Sequence, residues 1–466
     1  MMISKKITLT VKSTIERTII FSLAAVFIAQ QLTHWEPLSF MLGSLVFIAI
    51  ALLLPQLRGM TLWLTVSFMA VGVLLLLLQK AETRFWFEAA GINVTLVTLF
   101  VFAPLFGIPV RIPDYIEALN RFYETKVRSR SVLFTGTQLL TQIMGVFLNV
   151  GSIPVVYHVV FVKPHPGMSR LLANALNRGF AGAIFWSPYF AAMAVVVSSL
   201  SLNWSTLLPY MLGLSVISLF VSLAVDYKGL RNAEINPRPS EGEVIRQAEQ
   251  AANTGKTAFP AGLGVYLASA IIVILVLEQF VQLPMVLITC MAAVLFPLVW
   301  CLSKGEFATY RQGLANHVTV TLPALKKEIT LFLAAGFFSG SIGTTGFGAS
   351  VPVLLELMPI PISLSFSIFT VALITVTSML GLHPIVLVTI LATGIDPEAV
   401  HISSNYFAVL LLGSWGISNT VSPVSAVNNL LAALFKKPVH ELALPNYKFA
   451  ACMAVMLLLY LVAVKI

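Results

Sequence analysis

A short run of hydroxyl and amide side chains interrupts a very apolar region of the sequence. The stretch SNTVSP contains Ser418, Asn419, Thr420 and Ser422, and the proline that closes it is Pro423. Hydroxyl, amide and main-chain carbonyl oxygens are hard ligands that suit a cation such as Na⁺. Proline breaks a helix, so carbonyl groups beside it become free to bind an ion. We therefore predict a discontinuous helix with a polar ligand site at this stretch.

A second Ser-Pro pair lies earlier in the chain. Residues 179–200, GFAGAIFWSPYFAAMAVVVSSL, align without a gap to residues 414–435, SWGISNTVSPVSAVNNLLAALF. The alignment places Ser187-Pro188 over Ser422-Pro423, with Ala183-Ile184-Phe185 opposite the Ser-Asn-Thr triplet. We predict that both segments are broken helices. The apolar residues of the first favour a ligand that has an apolar part.

Two more apolar stretches, 131–162 and 364–394, each carry a Gly-x-x-Pro interruption near the middle. Each has a longer arm before the interruption and a shorter arm after it, and neither arm is long enough for a comfortable membrane crossing. Glycine permits the backbone angles of a tight tip, and proline begins a helix where no N–H donor is needed. Both stretches are therefore predicted to be re-entrant hairpins.

The hairpin tips and the helix breaks together give two candidate ligand sites. Freed carbonyls can coordinate a cation, and the N-termini of half-helices present N–H groups to an anion. The first site combines Asn149, Gly151 and Ser152 with Ser187, and the second combines Gly381 and His383 with Ser418, Asn419, Thr420 and Ser422. The predicted ligands of an anion are Asn149, Ser152, Ser187, His383, Ser418, Asn419 and Thr420; those of Na⁺ are Asn149, Gly151, Ser152, Ser187, Gly381, Ser418, Asn419 and Ser422. No further cofactor is predicted.

Composition places these interruptions inside a membrane. Of the 466 residues, 58% are hydrophobic and 10% are charged, and the mean hydropathy is +0.92, far from the values of soluble globular proteins. Apolar runs of crossing length recur along the chain, so we predict an all-α polytopic membrane protein. Cys290, Cys301 and Cys452 lie in apolar runs without metal-ligand spacing, which indicates small hydrophobic residues and neither a metal site nor a disulfide framework.

Eleven membrane-spanning helices are predicted, at 18–34, 38–55, 60–79, 87–106, 178–199, 205–225, 259–279, 283–303, 329–356, 404–435 and 446–465. If the two hairpins do not cross, 24 of the 28 lysines and arginines lie on one side of the membrane. The positive-inside rule then places the N-terminus in the cytoplasm and the C-terminus outside. The same bias accounts for the net charge of +9 without a nucleic-acid partner. The predicted location is a plasma membrane or a bacterial inner membrane.

The order of these features predicts two inverted repeats. Five crossings separate corresponding positions, and an odd number turns the second copy over in the membrane. Inverted repeats with interrupted helices in matching places are typical of secondary transporters. The predicted organisation is N-terminal helices at 1–79, a first repeat at 80–225 with hairpin 131–162, a cytoplasmic linker at 226–258, scaffold helices at 259–328, and a second repeat core at 329–466 with hairpin 364–394.

This arrangement resembles the divalent anion:sodium symporters and, more broadly, the ion transporter superfamily. The resemblance implies a homodimeric, elevator-type transporter that moves a small anion, contacts membrane lipids and uses sodium as coupling ion. Symporters of that family carry Ser-Asn-Thr at both hairpin tips, whereas this chain has Asn149-Val150-Gly151-Ser152 and Gly381-Leu382-His383 there. That departure leaves the substrate open. A proton-coupled antiporter or an exporter of the same superfamily is the alternative.

Titratable residues bear on the alternatives. Glu88, Asp226, Glu278 and Glu356 all lie near the ends of predicted spans, so the sequence offers no carboxylate relay in a span centre. His383 could titrate, donate to an anion or cap its hairpin tip. A membrane-embedded lipid-modifying enzyme would need acidic, histidine or arginine residues clustered near one interface. No such cluster is visible in the sequence, and we predict that the protein is not an enzyme.

Three local features carry secondary expectations. Arg178, with Asn174 and Asn177, could meet a negative group, but its position predicts a cytoplasmic interface anchor. The stretch GSIGTTGFGAS at 340–350 lacks the ending of a phosphate loop and predicts close helix packing or a kink inside a span. Residues 112–130 place Ile116, Leu119 and Phe122 at helical spacing and predict an interfacial helix.

Overall fold

The computed structural model describes residues 2–126, 129–161, 166–233 and 260–464, and every regular element within them is helical. The α-helices are α1 (Met2–Thr33), α2 (Glu36–Leu53), α3 (Met60–Leu78), α4 (Thr83–Gly91), α5 (Val94–Phe102), α6 (Pro113–Lys126), α7 (Arg130–Leu148), α8 (Ser152–Val160), α9 (Ser169–Trp186), α10 (Ala191–Ser199), α11 (Trp204–Asn232), α12 (Ala261–Phe280), α13 (Met285–Ser303), α14 (Phe307–Asn316), α15 (Leu322–Ala324), α16 (Lys326–Gly343), α17 (Phe347–Leu355), α18 (Ile362–Met379), α19 (Pro384–Gly394), α20 (Ser404–Val421), α21 (Ala426–Phe435), α22 (Val439–Ala443) and α23 (Asn446–Val464). Short 3-10 helices cover Leu54–Gln56, Ala103–Gly107, Pro109–Arg111, Asn149–Gly151, Pro166–Met168 and Glu398–Val400, and a π-helix covers His317–Thr321.

Twelve helical segments of the described chain are long and apolar enough to cross a membrane, which confirms the predicted all-α polytopic class. Ten of them coincide with predicted spans, and two lie in the stretches predicted as hairpins. They are Thr14–Thr33, Glu36–Gln56, Met60–Leu78, Thr83–Arg111, Arg130–Val160, Ser169–Ser199, Trp204–Asn232, Ala261–Phe280, Met285–Ser303, Ile362–Met379, Ser404–Phe435 and Asn446–Val464. The predicted linker at 226–258 begins inside α11, and its remainder falls largely outside the described residues.

The predicted span at 329–356 is wrong as a single helix. Helices α16 and α17 meet at an angle of 72° across residues 344–346. The Thr344 and Thr345 hydroxyls donate to carbonyls three residues back, and Gly346 has a φ of +68°, which favours glycine. The glycine-rich stretch is therefore a kink, as one of its two interpretations predicted.

The first hairpin enters and leaves at one end of the molecule. Arg130, at the start of α7, donates to the carbonyl of Arg231 near the end of α11 (2.8 Å). Phe161, just beyond α8, packs edge-on against Phe435 at the end of α21, with ring centroids 5.5 Å apart. Those ends of α11 and α21 both lie beside the first residues of α9. Helices α7 and α8 also pack on each other, so Arg130–Val160 turns back at its 3-10 segment instead of crossing.

The second hairpin enters from the opposite end. Ser363 at the start of α18 and Glu398 after α19 line one cavity of about 580 Å³ together with Leu461 in the last turn of α23. Helix α23 starts at the other end of the molecule, because Leu444 just before it lines a cavity with Ser169 of α9. Consequently the two hairpins approach the middle from opposite faces, which is the arrangement that inverted repeats require.

Helix α6 is amphipathic, but its buried stripe differs from the predicted one. Tyr115, Leu119 and Tyr123 are buried at successive four-residue spacings, whereas Ile116 and Phe122 are half-buried. An interval of four residues places side chains on one face of a helix. The buried face therefore contains the two tyrosines beside Leu119, each one position away from the predicted Ile116 and Phe122. The helix lies against α8, the shorter arm of the first hairpin.

The broken helices lie in the centre of the protein. In Ser169–Ser199 and in Ser404–Phe435, 89% of the most apolar 18-residue stretch is buried. The corresponding fraction is 72% or less in every other described helix of membrane-crossing length. Helix α9 packs on α7, α11 and α20, and α20 packs on α18, α19 and α23. Close approach of α9 and α20 depends on Gly416, where an added Cβ would collide with the Phe185 ring. The predicted site segments are therefore the best enclosed part of the fold.

Candidate functional site

The two helix breaks are the same structure in two copies. Helices α9 and α20 each contain 18 residues, and each ends directly before the serine of its Ser-Pro pair. That serine has nearly equal backbone angles in the two copies, φ −68° and ψ 125° at Ser187 and φ −72° and ψ 121° at Ser422. A residue before proline is driven towards this extended conformation. Pro188 and Pro423 therefore cause the two breaks.

At the first break, the Ser187 hydroxyl joins the broken helix to the hairpin arm. It donates to the Val146 carbonyl of α7 (3.1 Å) and accepts from the Tyr189 N–H (3.2 Å), and the side chain is fully buried. Val146 lies one turn before the hairpin tip. The predicted partners Asn149, Gly151 and Ser152 are thus brought next to Ser187 through α7, without a direct hydrogen bond between Ser187 and the tip in the described contacts.

The first tip is held by its own atoms. Asn149 has a φ of +51°, and its side-chain oxygen accepts from the Val150 N–H (2.7 Å). The Ser152 hydroxyl donates to the Asn149 carbonyl (2.8 Å). The Asn149 ψ of −136° lies outside the left-handed helical region that asparagine favours, so these local bonds hold a backbone conformation that few residues other than glycine adopt. The tip is therefore a preformed turn with its polar atoms folded inwards.

The second break differs from its prediction in one respect. Ser418, Asn419 and Thr420 form the last turn of α20, and the break itself covers residues 422–425. The Ser418 hydroxyl donates to the Trp415 carbonyl (2.8 Å) and the Thr420 hydroxyl to the Ile417 carbonyl (2.7 Å). The predicted stretch SNTVSP therefore contains the start of the break, but the triplet completes α20 and the interruption begins at Ser422-Pro423.

Two buried polar atoms at this break have no hydrogen-bond partner in the part of the chain that the structure describes. They are the side-chain nitrogen of Asn419, in a residue only 9% exposed, and the hydroxyl of Ser422. An unsatisfied buried polar atom is unusual in a folded protein and calls for an explanation such as a bound ligand. The two predicted site residues Asn419 and Ser422 are therefore free to bind one.

A residue without a predicted role organises the same break. The Asn428 side-chain amide, fully buried in α21, donates towards the carbonyls of Ser422 (2.9 Å), Thr420 (3.2 Å) and Asn419 (3.4 Å). Its oxygen accepts from the side chain of Asn177 in α9 (2.6 Å). An asparagine six residues after the break serine, in an otherwise apolar half-helix, is the sequence signal that could have identified this residue.

The second hairpin tip approaches the same break. Gly381 has a φ of +96°, and a Cβ added there would meet Val424, within the break, at 3.6 Å. His383 accepts the Ile385 N–H through Nδ1 (3.3 Å) and so caps α19, while its ring packs near Trp415 of α20 (centroids 6.0 Å). A neutral histidine that accepts through Nδ1 carries its proton on Nε2, where it can act as a donor. Capping is therefore one role of His383, and donation to a ligand stays a prediction.

The apolar half of the predicted cavity is packed. Ala183 lies where a Cβ on Gly145 would meet it at 2.8 Å, and Phe185 fills the space beside Gly416. Ile184 is buried as well. Ala183 packs α9 against α7 and Phe185 packs it against α20, so the prediction that this apolar segment lines a ligand cavity has no support in this conformation.

A buried ion pair corrects two further expectations. Arg178 is 0% exposed and donates to the Asp226 carboxylate (2.8 Å), so it is not an interface anchor. Asp226 lies inside α11, which extends to Asn232 instead of ending at 225, so the predicted span is too short and the carboxylate still lies near the end of its helix. The arginine also contacts Asn446 (2.9 Å) and the ring of Phe449 (4.7 Å). This pair ties α9, α11 and α23 together.

Comparison with known proteins gives little beyond this geometry. No protein-family model matches the sequence, and no curated protein matches it. The chain is similar to a solved structure, the YdaH transporter of Alcanivorax borkumensis, described as having an unusual topology. The two share 12% sequence identity over 86% of this chain and 97% of that one, with a TM-score of 0.47. A likeness at that level leaves substrate and mechanism to this chain's own residues.

Proposed function

We propose that the protein is a secondary active transporter that moves a small anion by alternating access. The observation that carries this proposal is the pair of matched broken helices, α9–α10 and α20–α21, each with a hairpin at its break and with the hairpins entering from opposite ends. Irregular backbone at membrane depth is tolerated where it lines a cavity or is buried in protein. Transporters with inverted repeats place substrate and coupling ions at such breaks.

We expect an elevator-type movement. In this arrangement the hairpins and broken helices form the moving part, and the surrounding helices, such as α2, α3 and α4, form the scaffold. We assign α16 to the scaffold as well, although the sequence placed it in the repeat core at 329–466, because it packs on α3 and α4. Helices α16 and α3 pack extensively on each other, and α16 also packs on α19 of the second hairpin. The contact between α16 and α19 would then be one surface along which the moving part slides. Homodimerisation through the scaffold is part of the same proposal.

Sodium is the proposed coupling ion. The carbonyls of Asn419 and Thr420, in the last turn of α20, accept side-chain amides instead of N–H groups of their own helix, because a helix end leaves such carbonyls without main-chain partners. Ser422 and Asn419 add side-chain atoms that lack partners, and Gly381 is nearby at the second tip. Neutral oxygen ligands of this kind suit Na⁺, and Asn149, Gly151, Ser152 and Ser187 are the candidate ligands of a second ion at the first break.

The substrate is proposed to be an anion because helix N-termini converge on both sites. Helix α19 begins at Pro384 with His383 as its cap, and α8 begins at Ser152 beside the first tip. The positive end of a helix dipole and its free N–H groups attract negative charge. His383, Asn419 and the first-tip residues are the side chains expected to contact the substrate.

A proton-coupled antiporter or exporter is the second candidate, and one observation favours it. Asp226 is 16% exposed and pairs with Arg178 inside the protein. Carboxylates inside membrane segments commonly mark ion or proton pathways. If protons drive transport, Asp226→Asn is expected to uncouple flux from a pH gradient, whereas a sodium-coupled carrier would keep its sodium dependence in that variant.

Flux measurements on purified protein test the proposal. The protein in proteoliposomes is offered a panel of radiolabelled organic and inorganic anions under an inward Na⁺ gradient, an inward proton gradient, or neither. We expect at least one anion to accumulate about tenfold or more above the gradient-free level when Na⁺ drives uptake, the factor that corresponds to about 1.4 kcal/mol. Accumulation driven by pH alone would select the proton-coupled alternative, and no accumulation under either gradient would contradict carrier function.

A further inference from the structure

The amide group of Asn428 stands at a point surrounded by main-chain oxygens. Its nitrogen lies 2.9, 3.2 and 3.4 Å from the carbonyl oxygens of Ser422, Thr420 and Asn419. A side-chain amide has two N–H hydrogens. The Thr420 carbonyl also accepts from Asn177 (3.1 Å) and the Ser422 carbonyl from the Ser425 N–H (3.3 Å), so among the described contacts only the Asn419 carbonyl depends on this amide alone. Three converging carbonyls around one positive atom are the ligand pattern that a cation also uses.

The orientation of this amide is fixed from outside the break. The nitrogen of Asn177 donates to the oxygen of Asn428 (2.6 Å) and to the Thr420 carbonyl (3.1 Å). Turning Asn428 over would direct its oxygen at three other oxygens, which is repulsive without a cation between them. Asn177 and Asn428 thus hold each other with donors facing the carbonyls.

The surroundings of this amide are only partly satisfied. In the described chain, the oxygen of Asn177, the nitrogen of Asn419 and the hydroxyl of Ser422 are buried without hydrogen-bond partners. All three residues contact the Asn428 network directly or through its carbonyls. Unsatisfied donors and acceptors together indicate that the network has another arrangement, in which a further group completes it.

We propose that Asn428 is an internal substitute for the coupling cation. Without the cation its amide N–H group occupies the carbonyl cluster of residues 419, 420 and 422. When the cation binds, the amide turns and offers its oxygen as a further ligand. This inference rests on the proposed cation site at the second break. It gives the empty carrier an uncharged break whose main-chain carbonyls are covered by the amide, which lets the unloaded form return through the membrane without exposed carbonyls.

The test compares Asn428→Asp with Asn429→Asp. The aspartate at 428 keeps the shape but cannot donate, and at about pH 8 it is ordinarily ionised. Asn429 is the matched control, because it is exposed and donates to the Pro423 and Ser425 carbonyls instead. Thermal unfolding of the purified variants is followed in NaCl, KCl and choline chloride at equal ionic strength.

Asn428→Asp is expected to unfold several degrees below the wild type in choline and to recover in Na⁺. Its apparent dissociation constant for Na⁺ should fall about tenfold, because an added charged ligand strengthens a cation site. Asn429→Asp should lose only the small stability that its two hydrogen bonds contribute at an exposed position, and by the same amount in all three salts. Equal stability of Asn428→Asp in Na⁺ and choline, or equal stabilisation by every cation, would overturn the proposal.

If Asn428→Asp does not fold, a second variant tests the same proposal. Asn177→Leu, which installs the residue found at the symmetry-related position 412, removes the anchor of the Asn428 oxygen. Freed from that anchor, Asn428 should turn more readily, so the apparent affinity for Na⁺ should rise a few-fold. Weaker Na⁺ binding in this variant would instead make Asn177 a ligand and overturn the proposal.

The outcomes separate the inference from the proposed function. In one outcome, Na⁺ stabilises Asn428→Asp but transport by the wild type does not depend on Na⁺. The carbonyl cluster would then bind a cation, and sodium coupling would be rejected. In the other outcome, Na⁺ drives uptake by the wild type but the stability of Asn428→Asp does not depend on the cation. The proposed transport function would then stand, and the role of Asn428 would be rejected.

Discussion

At the scale of single residues, burial and hydrogen bonding separate binding groups from structural groups. Three site hydroxyls donate hydrogen bonds to carbonyls of their own or a neighbouring helix: those of Ser418, Thr420 and Ser187. The Asn419 side-chain nitrogen and the Ser422 hydroxyl have no hydrogen-bond partner among the described residues. A polar group that is buried without a partner is costly in the empty protein, so these two residues are the better candidates for contact with a substrate or ion.

Asn419→Ala is therefore expected to remove transport and leave folding intact. The Asn419 side-chain nitrogen has no partner among the described residues, so truncation removes no hydrogen bond made by that atom. Uptake should fall about tenfold or more, as loss of one ligand contact worth about 1.4 kcal/mol implies, while the melting temperature stays close to the wild type. Normal uptake by Asn419→Ala, with Asn429→Ala as control, would exclude the Ser-Asn-Thr triplet from the site.

The Arg178–Asp226 pair makes a prediction about stability. Breaking a buried ion pair strands one charge and typically costs about 3–5 kcal/mol, and this pair is enclosed, with 0% and 16% of the side chains exposed. Arg178→Met should lower the melting temperature strongly in every salt. The double variant Arg178→Met, Asp226→Leu should recover much of the loss. A single variant as stable as the wild type would mean that the pair contributes nothing to joining α9, α11 and α23.

At the scale of elements, proline decides where the broken helices end. Each break begins with Ser-Pro, and both serines adopt the extended conformation that a following proline imposes. In contrast, α11 passes through Pro209 and stays one helix. Pro209 is the sixth residue of α11, where it removes the bond that an N–H would make to the Ser205 carbonyl, so a proline alone does not break a helix in this fold.

Replacing the break proline should weaken the ion site. Proline in a helix interior costs about 3 kcal/mol relative to alanine, so Pro423→Ala removes the main obstacle to joining α20 with α21. We expect loss of Na⁺ stabilisation and of uptake. Pro209→Ala is the control, and its uptake should match the wild type. Retained sodium response in Pro423→Ala would mean that tertiary contacts, such as those of Asn428, hold the break open by themselves.

At the scale of the whole molecule, the hairpins establish the symmetry. Their ends lie at opposite faces, as the contacts of Arg130 and Phe161 on one side and of Ser363 and Glu398 on the other require. The positive-inside rule assigns the first face to the cytoplasm. A re-entrant segment has both ends on one side, which is directly measurable.

Cysteine labelling in intact cells tests this topology. In a cysteine-free background, Ser129→Cys and Gly167→Cys flank the first hairpin, and Pro361→Cys and Glu398→Cys flank the second; all four positions are exposed. A membrane-impermeant thiol reagent should label the second pair from outside and the first pair only after the membrane is opened. If the two members of a pair are labelled from opposite sides of the membrane, that segment crosses the membrane and is not a re-entrant hairpin.

The sequence by itself determined what depends on local chemistry. Apolar runs fix membrane crossings because backbone groups in lipid must be paired within the helix. Glycine and proline fix the tips and breaks through backbone angles and missing donors, so the paired Gly-x-x-Pro and Ser-Pro motifs located the hairpins and broken helices. The predicted boundary at 225 failed because no proline ends α11 there. The span at 329–356 failed as a single helix at Gly346, in the stretch for which a kink was one of two interpretations.

Only the tertiary structure decided which polar groups meet. Asn177 and Asn428 are separated by 251 residues, and Arg178 and Asn446 by 268. No periodicity or spacing connects such residues, because their pairing follows from the antiparallel packing of α9 and α20 and from the position of α23. Tertiary packing also decided that Phe185 fills the space at Gly416 instead of lining a cavity. The sequence located the interruptions, and the packing of the two repeats decided which atoms are left free to bind.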